Sequence, residues 1–296
     1  MPSVPPPQVS SSGQTVAPGR EPEPQRDHSD DAPWPVWTVP AAFAGGLVVG
    51  VLATAAVAGI GRAAGSTTDT PAVNIVGDIV FDLSFVAAAL YLAGLHRRVK
   101  PSDFGYRRVA PRLAIGAFLT AGVSYYVLTA LYQAIFGLHG NEKLPRGLGV
   151  GQSTAALIGA AAFVCVVAPV AEEFFFRGFI FGSLRRWHLR LRGHDLGTWA
   201  AAIVTGILFG LVHAGSTSAR YLVPLAFFGF VLCLVRWRTR SLYPCMALHS
   251  VNNSLALGIA QLHWAAGDVL ALAAGSVALI GALTLPLAKD RPAPAT

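Results

Sequence analysis

The sequence predicts an all-α fold, a polytopic bundle of about eight transmembrane spans. Three observations lead there. Only 12% of the 296 residues are charged and 53% are hydrophobic, whereas soluble domains carry about 25% charged residues. Apolar runs recur at the length of roughly 20 helical residues that crosses a hydrocarbon core about 30 Å thick. Basic residues gather in alternate connections between those runs, as expected when positive charge orients the spans.

The elements follow in order. Residues 1–37 begin "MPSVPPPQVSSSGQTVAPGREPEPQRDHSDDAPWP", rich in Pro, Ser and acids. Such a segment buries too little apolar surface to offset chain entropy, so it reads as a disordered cytoplasmic tail. It does not read as a signal peptide, since no basic start leads directly into an apolar stretch. The bundle occupies 38–289. Its first span is Val39–Gly61, and Trp34 and Trp37 before it suit an interfacial aromatic belt. The second, Ile75–Leu95, carries Asp78 and Asp82. The third is Leu113–Leu138, and the fourth, Ala155–Leu184, contains "AEEFFFRGFI". The fifth, Thr198–Gly215, contains "GILFGLVHAG", and the sixth, Tyr221–Val235, is short. The seventh, Leu242–Leu262, contains "CMALHSVNNSLALG", and the eighth, Trp264–Ala288, follows almost at once. Residues 290–296 form a short cytoplasmic tail.

Charge tests this map. Of the 22 Lys and Arg residues, 17 fall in the two tails and in the second-to-third, fourth-to-fifth and sixth-to-seventh connections. Four fall on the opposite side, namely Arg62, Lys143, Arg146 and Arg220, and Arg177 lies within a span. Positive-inside then sets both termini in the cytoplasm, of a protein integral to the cell (plasma) membrane. The net charge of +7 does not mark a nucleic-acid partner, because the basic residues are scattered between spans, not gathered on one soluble face. Cys165, Cys233 and Cys245 form no C-x-x-C pair and read as small apolar residues.

The fourth span raises the chemical question, for it buries two adjacent carboxylates in apolar surroundings. Glu173 and Arg177 are four apart and share a helix face, so they can pair. Glu172 sits about 100° around the helix and needs another partner. Ionisable groups at such depth face a bundle interior or a wet cavity and mark function. Two further spans offer polar groups: His213 in the fifth, and His249 with Asn253, again four apart, in the seventh. At 1.5 Å per residue, Glu172 lies about 20 Å from the cytoplasmic end of its span and His213 about 22 Å. His249 and Asn253 lie about 12 and 18 Å from theirs. The four converge toward one height.

A carboxylate in a low-dielectric bundle is tuned toward the range of a general base. Glu172 with His213 could therefore hold and deprotonate a water, while His249 and Asn253 donate to the oxyanion formed when it attacks a carbonyl. Each group also has a structural reading. Glu173–Arg177 could be an ion pair alone, and His213 or Asn253 an interhelical hydrogen-bond partner.

The same residues form E-E-x-x-x-R (Glu172, Glu173, Arg177), F-x-x-x-H (Phe209, His213) and H-x-x-x-N (His249, Asn253), in that order on late spans. In this the sequence resembles the CAAX-protease and bacteriocin-processing family, also called CPBP or Abi, which includes the type II CAAX prenyl endopeptidases. The resemblance covers about residues 152–262. It implies an intramembrane endopeptidase acting on a membrane-associated protein or peptide. Glu172 and His213 map onto the water-activating residues and His249 and Asn253 onto the oxyanion pair, with Glu173, Arg177 and Phe209 supporting them. The family is described both as metalloprotease and as a metal-free, glutamate-dependent hydrolase. The sequence leaves open whether there is no cofactor or a divalent metal such as zinc, for which Glu172, His213 and His249 would be the ligands. H-E-x-x-H is absent.

Two rivals remain. Asp78 and Asp82, four apart on the second span, could serve a proton- or ion-coupled transporter. A non-catalytic immunity or scaffold protein could carry the same fold.

Overall fold

The computed structural model describes residues 34–66, 70–137, 147–186, 190–191 and 194–288. Most of the expected N-terminal tail and the whole of the C-terminal one therefore lie outside the described residues. Helices α1 (Thr38–Ala63) and α2 (Pro71–Gly94) come first, then a single-turn α3 (Pro101–Phe104) and α4 (Pro111–Phe136). The long α5 spans Thr154–Leu184. A two-residue antiparallel pair, β1 (Arg190–Leu191) with β2 (His194–Asp195), interrupts the helices. Then follow α6 (Gly197–Val212), α7 (Ala219–Thr239), α8 (Tyr243–Leu255) and α9 (Ala266–Thr284).

Local chemistry explains several starts. Proline occupies the first turn of α2, α3, α4 and α8, where its missing N–H would have no partner in any case. Ser153 caps α5 by accepting from the Ala156 N–H at 3.1 Å. Small residues let helices approach closely. A Cβ added at Gly206 would meet the Ala226 carbonyl oxygen at 2.6 Å, and one at Gly210 the Leu222 carbonyl oxygen at 2.7 Å. This Gly-x-x-x-Gly face seats α6 on α7.

Among the described residues seven helices are long and apolar enough to cross a membrane: α1, α2, α4, α5, α6 with its extension to Gly215, α7, and α9 with its extension to Leu287. The remaining expected span exists as α8, which runs on through a wide π turn at Ala256–Gln261. Its length of about 28 Å suffices, but His249, Ser250, Asn252, Asn253 and Ser254 make it polar. Its polar groups face protein: His249, Ser250 and Ser254 are buried. The outer helices turn Val48, Leu52, Leu119, Val127 and Ile135 outward, apolar surface that is stable only against hydrocarbon. The molecule is an integral membrane protein.

Two expectations change. The sixth span, α7, is longer than Tyr221–Val235, because the helix continues through Arg236 and Arg238, cations that suit a helix C-terminus. Trp34 is not in an interfacial belt. It is wholly buried, stacked between Phe104 (4.8 Å) and Phe179 (5.3 Å). Arg186 Nη1 also donates to its carbonyl oxygen at 3.1 Å. The short helix α3 delivers Phe104 and so forms a slot at the Leu184 end of α5. No sequence period signals such a slot. Trp37 is exposed.

Candidate active site

Helix α5 is central, and two of its stretches widen to π turns, Phe163–Val167 and Phe174–Ile180. Such turns occur at functional sites and insert a residue into the helix. The insertion turns everything after it by about 100°. The first has a visible cause. Pro169 has no N–H to give to the carbonyls four and five residues before it, which are Cys165 and Val164. Side chains from α8 take up both. Ser250 Oγ donates to Cys165 O at 2.6 Å and Asn253 Nδ2 donates to Val164 O at 2.8 Å. The proline in α5 thus fixes the position of α8, and α8 carries the second histidine.

Glu173 is fully buried and accepts from two partners on Oε1, Arg177 Nη1 at 2.7 Å and His249 Nδ1 at 2.8 Å. Its Oε2 has no hydrogen-bond partner. Arg177 is equally buried. It also donates to the Gly229 carbonyl at 3.1 Å and lies 4.4 Å over the Phe209 ring, a cation–π contact strengthened by desolvation. Phe209 meets the His249 ring edge-on at 5.7 Å. The expected pairing of Glu173 with Arg177 is present, and His249 joins it.

Glu172 faces the other way, into a cavity of about 700 Å³. Its Oε2 lies 3.9 Å from His213 Nε2 and 3.9 Å from His249 Nε2, and it makes no hydrogen bond within the protein. His213 follows the last residue of α6, and its Nδ1 lies 2.7 Å from Phe209 O, one of the carbonyls that a helix end leaves unpaired. A carbonyl only accepts, so Nδ1 carries a proton, and Nε2 points at Glu172. A carboxylate likewise only accepts, so His249 Nδ1 donates to Glu173 and its Nε2 also faces Glu172. The structure thus brings together Glu172, His213 and His249. Asn253 lines the same cavity, with one amide N–H already given to Val164.

Three features of the site do not follow from the motif spacing. Ser250 is one, and Pro169 was its legible signal. Asn252 is another: it lines the cavity and accepts from Tyr126 Oη at 3.1 Å. Asp78 and Asp82 were noticed but assigned elsewhere, and they line this cavity too.

Zinc fits this geometry poorly. Tetrahedral zinc with bonds of about 2.0–2.1 Å holds its ligand atoms about 3.3 Å apart. The Glu172 contacts are both 3.9 Å. Among the described residues no group of three or more His, Cys, Asp or Glu is arranged to hold a metal ion. The metalloprotease expectation gains no support from these residues.

Comparison with known proteins bears on the same segment. Residues 154–255 match the family model "Type II CAAX prenyl endopeptidase Rce1-like". A curated Escherichia coli protein, described as "Uncharacterized 24.3 kDa protein", is 26% identical over 163 residues, which is 51% of this chain and 71% of that protein. No solved structure matches. The matched stretch is about a third of the chain, and it holds Glu172, Glu173, Arg177, Phe209, His213, His249 and Asn253; over it the chain is similar to the Rce1-like type II CAAX prenyl endopeptidases.

Proposed function

We propose that this chain is an intramembrane endopeptidase that hydrolyses a peptide bond in a membrane-associated protein or peptide. One observation carries the reading: Glu172 Oε2 and the Nε2 atoms of His213 and His249 converge at 3.9 Å across an intramembrane cavity. A water between them gives one hydrogen to His213 Nε2, which this step requires unprotonated, and the other to the Glu172 carboxylate. Its lone pair is left to attack a carbonyl carbon. Glu172 takes the proton as the C–O bond forms. The resulting oxyanion accepts from His249 Nε2–H, a donor role that requires both ring nitrogens protonated, with the Glu173 carboxylate on Nδ1 as countercharge. The free N–H of Asn253 is the second donor. Glu172 then passes its proton to the leaving nitrogen, and the C–N bond breaks to give a carboxylic acid and an amine. Residues 38–289 act as one bundle with its catalytic core at about 152–262. The termini face the cytoplasm by the charge asymmetry, in the plasma membrane.

A carrier is the second reading, favoured by Asp78 and Asp82 in the same cavity. One comparison separates the two. Membrane fractions from cells carrying the parent, Glu172→Ala or His213→Ala are searched by mass spectrometry for a peptide trimmed only by the parent. The endopeptidase reading expects that peptide to vanish in both variants at unchanged protein level. Trimming that persists in Glu172→Ala sinks the mechanism. Flux lost with Asp82→Asn but kept in Glu172→Ala would establish the carrier. Full activity at zero bound metal, read by elemental analysis after chelation, separates metal-free from metal-dependent hydrolysis.

A further inference from the structure

The cavity that holds Glu172 has a second acidic wall. Asp78 and Asp82 on α2 line it, one turn apart on one face. Asp82 Oδ2 is shut off from solvent and has no hydrogen-bond partner. Contacts between α2 and α5 fix its height. Ile75 Cδ1 would lie 3.0 Å from a Cβ on Gly159, and the Phe85 ring lies 4.9 Å from that of Phe175. Asp82 lies three residues before Phe85, as Glu172 lies three before Phe175, so the two carboxylates sit at one level of the bundle. Among the described residues neither Lys nor Arg lines the cavity. Arg177, the cation next to the site, is committed to Glu173 and the Gly229 carbonyl on the far face of α5.

Three carboxylates around an apolar-walled space, with no Lys or Arg among its described lining, are costly in low dielectric. A positively charged occupant removes that cost. The remaining lining is largely Val, Phe, Leu and Ala, which suits an apolar chain on either side of the charge. We infer that Asp82 and Asp78 form a specificity subsite for a basic side chain, Lys or Arg, of the peptide. That residue lies next to the scissile bond, because Asp82 is level with Glu172. The inference rests on the endopeptidase reading for the word scissile, and on the cavity alone for the charge preference.

The test uses the full chain in nanodiscs with Glu172→Gln, so that binding is read without turnover. The probes are fluorescent Leu/Ala peptides, acetylated and amidated at their ends, that differ only in one central residue, Lys or Gln. The Lys peptide should bind at least about tenfold tighter by anisotropy, the scale of a desolvated charge pair. Adding Asp82→Asn should cut the ratio below about threefold, whereas Asp82→Glu should keep it. Asp78→Asn is the second variant should Asp82→Asn fail to fold, and it should also lower the ratio. Equal affinities, failure of the Lys peptide to bind, or a ratio untouched by both Asn variants overturns the subsite. Cleavage of these peptides by the parent with a flat ratio would sink the subsite and leave the endopeptidase standing. A ratio that holds while the parent cleaves neither peptide would do the reverse.

Discussion

Glu172 and Glu173 are neighbours in sequence with opposite fates. Glu173 is fully buried, and Arg177 and His249 both donate to it at 2.7 and 2.8 Å. Glu172 reaches a cavity and has two imidazole nitrogens at 3.9 Å, too far for a direct bond and near enough to share a solvent molecule. About 100° of helix separates them. A buried carboxylate with strong donors belongs to the scaffold, because its charge is already compensated. One held near partners that it does not touch is free to exchange a proton. Under the proposed hydrolysis the two faces of α5 divide structure from chemistry, and His249 joins them through its two ring nitrogens.

The sharpest way to break this contrast is to neutralise each acid without changing its shape. Glu172→Gln should lower cleavage by about 10²–10⁴-fold, the worth of a general base, with an unchanged thermal unfolding midpoint. Equal loss of stability in Glu172→Gln and Glu173→Gln would erase the distinction. Next comes Arg177→Ala, which strands Glu173 without its cation. About 3–5 kcal/mol of stability should go, read as lost monodisperse protein on size exclusion. A variant with parental yield and midpoint would show that the pair is dispensable. Smaller again is Ser250→Ala, which leaves Cys165 O unpaired and should cost about 1–3 kcal/mol. Pro169→Ala restores an N–H to that turn, so the Ser250→Ala cost should shrink in the double variant. Strict additivity in that cycle would mean that Ser250 does not compensate for the proline.

Much of the site was legible. Span positions follow from hydropathy, and the four polar groups fall at similar depth because the helical rise is constant. Motif spacing placed Glu173 beside Arg177. Other features were not legible. Asn253 was expected to serve the oxyanion, yet one of its N–H groups goes to Val164 O, a carbonyl within a π turn that leaves no periodic trace in an apolar run. Asp82 was assigned to a separate pathway, since spacing along α2 says nothing about which helix its face meets. Trp34 was read from its place before a span, but its stacking partner Phe104 comes from a connection outside the spans.

The sequence by itself determined a membrane bundle and the heights of its polar groups, because bilayer thickness and helical rise are nearly the same in every such protein. Tertiary structure decided which way each group points. Rotation about a helix axis is set by packing against neighbours and by inserted π residues, and neither is written in the residues of one helix alone. The difference between a paired Glu173 and an unpaired Glu172 is a fact of that rotation.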